Sequence, residues 1–115
     1  MDTDNAESFV THLATLLEAK RVSARSAARM AGLTRTQGGA IFSGDRRPSR
    51  DEVLCIALAA AVGAREADRL LTLSGNAPLD STVGRDQAIA RCLEQGLSPQ
   101  KTNELLRGLG EQGVA

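Results

Sequence analysis

The chain has 115 residues, 42% of them apolar, with two Phe, no Trp, no Tyr and a formal net charge of zero. That apolar content excludes wholesale disorder. The shortage of aromatic residues points to helices packed through Ala and Leu, not to sheets. No apolar run approaches the roughly 20 residues that a bilayer-spanning helix needs. The start, Met1-Asp2-Thr3-Asp4-Asn5-Ala6-Glu7, is acidic and polar, unlike a signal peptide, so no membrane partner and a cytoplasmic location are expected.

Zero net charge conceals an asymmetry. Residues 20–50 hold eight basic side chains (Lys20, Arg21, Arg25, Arg29, Arg35, Arg46, Arg47 and Arg50) against the single acid Asp45. The remainder holds six bases and thirteen acids. A basic block in an acidic body suits a polyanion on one face; solvated helix surface is the plainer explanation.

Seven helices are expected. Phe9, Leu13, Leu16 and Leu17 recur at helical spacing, giving about three turns that end near Lys20–Arg21. Ser23 is an N-cap for Ala24–Ala31, with Gly32 as the stop. Thr34 caps a third helix that runs to about Phe42, with Gly44 beyond it. The loop Asp45–Pro48 follows. Ser49 and Glu52 form a capping box ahead of Val53–Val62, which is apolar nearly all round and should be the buried centre. Gly63 ends it.

A fifth helix is expected over Arg65–Ser74, with Leu70, Leu71 and Leu73 inward and Gly75 as its end. After the connector Asn76–Asp80, a stripe of Ala88, Ile89, Cys92 and Leu93 marks a sixth helix that stops at Gly96. Ser98-Pro99 opens the seventh, whose apolar face is Thr102, Leu105, Leu106 and Leu109. Gly110–Ala115 is expected to fray. Cys55 and Cys92 lie in apolar helical patterns and are expected as core residues, with a disulfide or a metal site as the alternative.

The stretch from Val22 to Gly44 reads as a tight crossing of two short helices. Ala28 is small where they touch, Gly32 can turn left-handed, and Leu33 and Ile41 plug the second helix onto the core. This segment resembles the Xre/Cro/phage-repressor helix-turn-helix, through Val22-Ser23, Ala31-Gly32-Leu33-Thr34, Thr36, Ile41 and Gly44, with Arg46-Arg47-Pro48-Ser49 downstream. The resemblance implies an all-α chain: a five-helix repressor-like domain over residues 8–75, then a two-helix hairpin over 79–109. The hairpin resembles extensions of small bacterial Xre-type proteins through Arg85-Asp86, Gly96-Leu97-Ser98 and Asn103-Glu104-Leu105-Leu106.

Carried onto this chain, the resemblance implies a bacterial or phage transcriptional regulator that binds double-stranded DNA. The helix from Thr34 would enter the major groove, with Arg35, Thr36 and Gln37 reading bases. Ser23, Ser43, Arg46, Arg47 and Arg50 would grip phosphates. The chain departs from the family pattern at Ala24, Ala27, Gly38, Gly39 and Ala40. The two glycines either permit close approach to DNA or a neighbouring helix, or mark a scaffold turned to protein interaction. The alternatives to DNA binding are therefore a non-enzymatic adaptor and an antitoxin-like partner.

No catalytic residue, metal or cofactor is expected. The single histidine, His12, has no Cys, Asp or Glu at ligand spacing and is expected on a polar helix surface. The glycine pairs follow no strand, so they are not phosphate loops. The hairpin's apolar stripe either packs on the fifth helix or serves a homodimer or another protein partner.

Overall fold

The structure, a computed structural model, describes residues 5–115; the acidic residues 1–4 lie outside it. Among the described residues there are seven helices and no strand: α1 (Asn5–Lys20), α2 (Ala24–Met30), α3 (Arg35–Ser43), α4 (Arg50–Ala59), α5 (Ala64–Leu73), α6 (Gly84–Glu94) and α7 (Pro99–Gly108). The expected all-α class, five helices followed by a hairpin, is what the chain forms.

Local chemistry starts most of these helices. Ser23, Thr34, Ser49 and Ser98 each accept a hydrogen bond on the side-chain oxygen from the backbone N–H three residues on. Ser49 and Glu52 form the expected capping box. Helix ends conform less closely. α4 stops at Ala59, short of Gly63, because Ala61 turns left-handed at φ 59° and the Val62 N–H reaches back to the Ala57 carbonyl. Buried Val62 anchors that turn, and Gly63 instead precedes α5 in extended conformation.

α4 is the central element. Val53 through Ala60 are all buried, and the helix touches α2, α5, α6 and α7. α1 lays Phe9, Leu13 and Leu17 against α5 and α3. The hairpin is not an appendage: Ile89, Cys92, Leu93 and Leu106 belong to the same core cluster as α1–α5. It packs on α4 as well as on the expected α5.

On α7 the buried line is Pro99, Thr102 and Leu106, leaving Leu105 46% and Leu109 65% exposed. Thr102 and Leu106 keep the expected inward position, but the buried face is turned by roughly 40° toward Pro99, about half a residue step, which brings Leu105 and Leu109 out. His12 is half-buried rather than a surface residue, and its Nε2 is shut off from solvent with no hydrogen-bond partner among the described residues.

A polar clamp joins the two parts. Arg50, at the start of α4, holds Asp86 of α6 through both guanidinium ends, at 2.8 and 3.1 Å. The same guanidinium donates to the carbonyls of Ala77 and Pro78. Asp86 also accepts from the Asp80 N–H. Beside it, Arg85 pairs with Asp51 at 3.2 Å and donates to the carbonyls of Gln112 and Gly113.

The C-terminal residues, expected to fray, are fastened by those last bonds. Asn103 Oδ1 accepts from the Val114 N–H at 2.7 Å, Val114 is buried, and the Cys55 thiol donates to the Val114 carbonyl. Cys55 and Cys92 are free and buried, as expected of core cysteines. Burial, with nearby Asp51 and Glu52, pushes the Cys55 pKa to about 12. Removing residues 112–115 is expected to lower stability by about 2 kcal/mol, the scale of one buried Val plus its bonds. It should also open Cys55 to a thiol-reactive disulfide reagent under native conditions. An inert Cys55 with unchanged melting would show that the docked tail does not cover the core.

Candidate nucleic-acid interface

The helix crossing forms as its small residues require. Gly32 takes φ 80° between α2 and α3, and the Leu33 N–H bonds to the Ala28 carbonyl. Ile41 is fully buried and Leu33 half-buried, so α3 is pinned by the expected plugs.

The two glycines of α3 serve different ends. A Cβ on Gly38 would lie 2.8 Å from the Ala28 Cβ, whereas one on Gly39 would meet nothing within 4 Å. Gly38 therefore permits the close helix crossing, and Gly39 has no packing reason. Each costs about 1 kcal/mol of helix propensity relative to Ala. Gly39→Ala should raise stability by about 1 kcal/mol. Gly38→Ala should lower it by about 1–3 kcal/mol, because neither Cβ can swing aside. Chemical denaturation of the two variants checks this; a stabilised Gly38→Ala would mean the crossing is loose.

α3 presents its first turn outward. Arg35, Thr36 and Gln37 are all exposed. Gln37, expected as a base reader, is partly engaged: its Oε1 accepts from the Thr34 N–H at 2.9 Å while the Thr34 hydroxyl accepts from the Gln37 N–H. A bidentate contact to adenine uses both the amide oxygen and the amide nitrogen. With the cap intact, Gln37 offers only its NH₂ group. The Thr34-x-x-Gln37 spacing is the same capping signal that Ser49-x-x-Glu52 gives, so the engagement was readable in the sequence.

The five expected phosphate contacts are not equivalent. Arg50 is removed from the set by the clamp to Asp86, which a phosphate would have to displace. Arg46 pairs with Glu52 at 2.9 Å with its side chain 41% exposed. That hydrogen bond holds the Arg46 pKa above its usual value; burial alone would raise the Glu52 pKa, but Arg46 and Ser49 outweigh it and hold it low. Arg47 lies across the C-terminal end of α5, its guanidinium beside Gly75. Ser23 is exposed but caps α2, and the Ser43 hydroxyl donates to the Ala40 carbonyl.

Two arginines left without a role in the sequence reading emerge instead. Arg25 and Arg29, one turn apart on α2, stand exposed with Arg35 around a single open groove of about 560 Å³ between α2 and α3. Apart from the arginines and Thr34 its lining is apolar: Ala24, Ala28, Leu33, Gly38, Gly39 and Phe42. No acid lines it, and none of the three arginines pairs with an acid among the described residues. The i, i+4 spacing of Arg25 and Arg29 was the signal that could have identified them.

No group of three or more His, Cys, Asp or Glu close enough to hold a metal ion occurs among the described residues. No helix there is long and apolar enough to cross a membrane. Compared with protein-family models, curated proteins and solved structures, the chain matches none of them.

Proposed function

We propose that this chain binds double-stranded DNA through the α2–α3 face and acts as a transcriptional regulator in the cytoplasm of a bacterium or in a phage-infected cell. The observation that carries this reading is the placement of Arg35 and Thr36 on the exposed first turn of α3, beside Arg25 and Arg29, with no acid lining the groove between α2 and α3. Arg35 is the base reader, with the geometry to fork onto a guanine edge. Thr36 and the Gln37 NH₂ group assist it. Arg25 and Arg29 join Ser23, Ser43, Arg46 and Arg47 as the phosphate-facing set.

The acidic remainder of the chain favours one orientation on a polyanion, with the hairpin turned away. Selection of bound duplexes from a random pool by the purified protein tests the reading. The expected result is enrichment of a short motif containing guanine, with Arg35→Ala relaxing the preference at that base by about 1–3 kcal/mol. Failure to retain any duplex at 50 mM salt would overturn it. The apolar groove beside Gly39 favours a second use of the same face, by a protein.

A further inference from the structure

The groove between α2 and α3 is poorly suited to nucleic acid at its floor. Base edges and phosphates need hydrogen-bond partners. Between the arginines the groove offers Ala24, Ala28, Leu33, Gly38, Gly39 and the ring of Phe42, with Thr34, whose hydroxyl already caps α3, as the one polar side chain besides them. A thymine methyl is an apolar group that could sit there, but about 560 Å³ far exceeds one methyl.

Gly39 sharpens the point. It leaves the middle of α3 bare at a position where an added Cβ would meet nothing of this molecule within 4 Å. An absent side chain in open space is explained when the body that needs the room comes from outside. Two helical rows make up the groove lining, Ala24 and Ala28 from α2 and Arg35, Gly39 and Phe42 from α3, at i, i+4 and i, i+4, i+7 spacing. A third helix seats between such rows and is read by its own apolar residues at i, i+3, i+4 and i+7. Its flanks would face Arg25, Arg29 and Arg35.

We propose that the α2–α3 groove is the docking site for an acidic amphipathic helix of a protein partner, with apolar side chains over Gly39 and carboxylates against Arg25, Arg29 and Arg35. Docking does not depend on DNA binding. Where both occur, the shared arginines make them mutually exclusive, and the partner releases the chain from DNA.

The test uses the full chain and a fluorescent 18-residue peptide with Leu on one helical face and Glu elsewhere. A scrambled peptide of identical composition is the control. Saturable binding is expected to weaken at least tenfold for the scrambled peptide and at least tenfold with Gly39→Phe, whose larger side chain fills the groove. Arg29→Glu should weaken it similarly, while Arg107→Glu on α7 should leave it unchanged. Circular dichroism confirms that each variant is folded. Equal binding of both peptides, or indifference to Gly39→Phe, would overturn the proposal by reducing the contact to charge alone. Binding of a duplex without binding of the helical peptide would likewise overturn docking and leave the DNA reading standing. Binding of the peptide without any duplex would support docking and overturn the DNA reading.

Discussion

Asp86→Asn is expected to destabilise the chain by about 2–4 kcal/mol at neutral pH, a loss on the order of 10 °C in melting temperature for a chain of this size. The Asp86 side chain is only 6% exposed and the Arg50 side chain 27%, and they meet through two hydrogen bonds. Burial by itself would raise the Asp86 pKa; the bonds from Arg50 and from the Asp80 N–H outweigh it and hold the pKa below the usual carboxylate value. The same contact raises the Arg50 pKa.

A carboxylate whose folded pKa is depressed adds stability above its unfolded pKa of about 3.9, and that stability is lost as pH falls through the lower folded value. The gap between the native chain and Asp86→Asn should therefore be full at pH 6–7 and close progressively below about pH 4. Denaturant midpoints across that range check it. A gap that persists unchanged at pH 2 would mean that the charge of Asp86 is not what holds the clamp. Arg50→Met together with Asp86→Leu should cost less than Asp86→Asn alone, since no buried charge is left without its partner.

Replacing Arg25, Arg29 and Arg35 together by Ala is expected to weaken duplex binding on the order of 10²–10³-fold at 100 mM salt. It should also flatten the slope of log K against log salt by about 2–3. Melting should barely move, because all three side chains are exposed. The triple Arg25→Glu, Arg29→Glu, Arg35→Glu should abolish binding. Arg50→Ala, by contrast, should act through stability and the orientation of the hairpin, leaving the salt slope of the folded fraction unchanged. If Arg50→Ala flattened that slope as much as one of the exposed arginines does, the guanidinium would be reaching phosphate despite Asp86.

Features set by near neighbours were legible in the sequence. Ser23, Thr34, Ser49 and Ser98 act within one turn of themselves, so their caps follow from residue type and spacing. The continuous apolar run after Glu52 announced the central helix, since no face of it could remain wet. Features that depend on distant partners were not legible. Arg50 meets Asp86 36 positions away, and Cys55 meets Val114 59 positions away. Nothing local to Arg50 separates a structural arginine from a phosphate-binding one, and a short glycine-bearing tail reads as loose until a pocket for Val114 exists.

The C-terminal leucines misled for a related reason. Leu105, Leu106 and Leu109 satisfy the helical period together, and only contact with α4 and α6 selects Leu106 and Thr102 as the inward pair. Within the site, the position of Arg35 on an exposed first turn followed from the helix-turn-helix pattern. Which arginines share its groove required the packing of α2 on α3. That packing in turn rests on Gly38, whose missing side chain lets Ala28 approach.

The measurement that bears most directly on the proposed function is a titration of the ¹⁵N-labelled 115-residue chain with the tightest duplex from the random pool at low salt. Backbone amide shifts should concentrate in residues 23–47, leave α6 and α7 unmoved, and reverse as salt is raised to about 0.5 M. Shifts centred on the hairpin, or none at any duplex concentration, would contradict an α2–α3 interface with DNA.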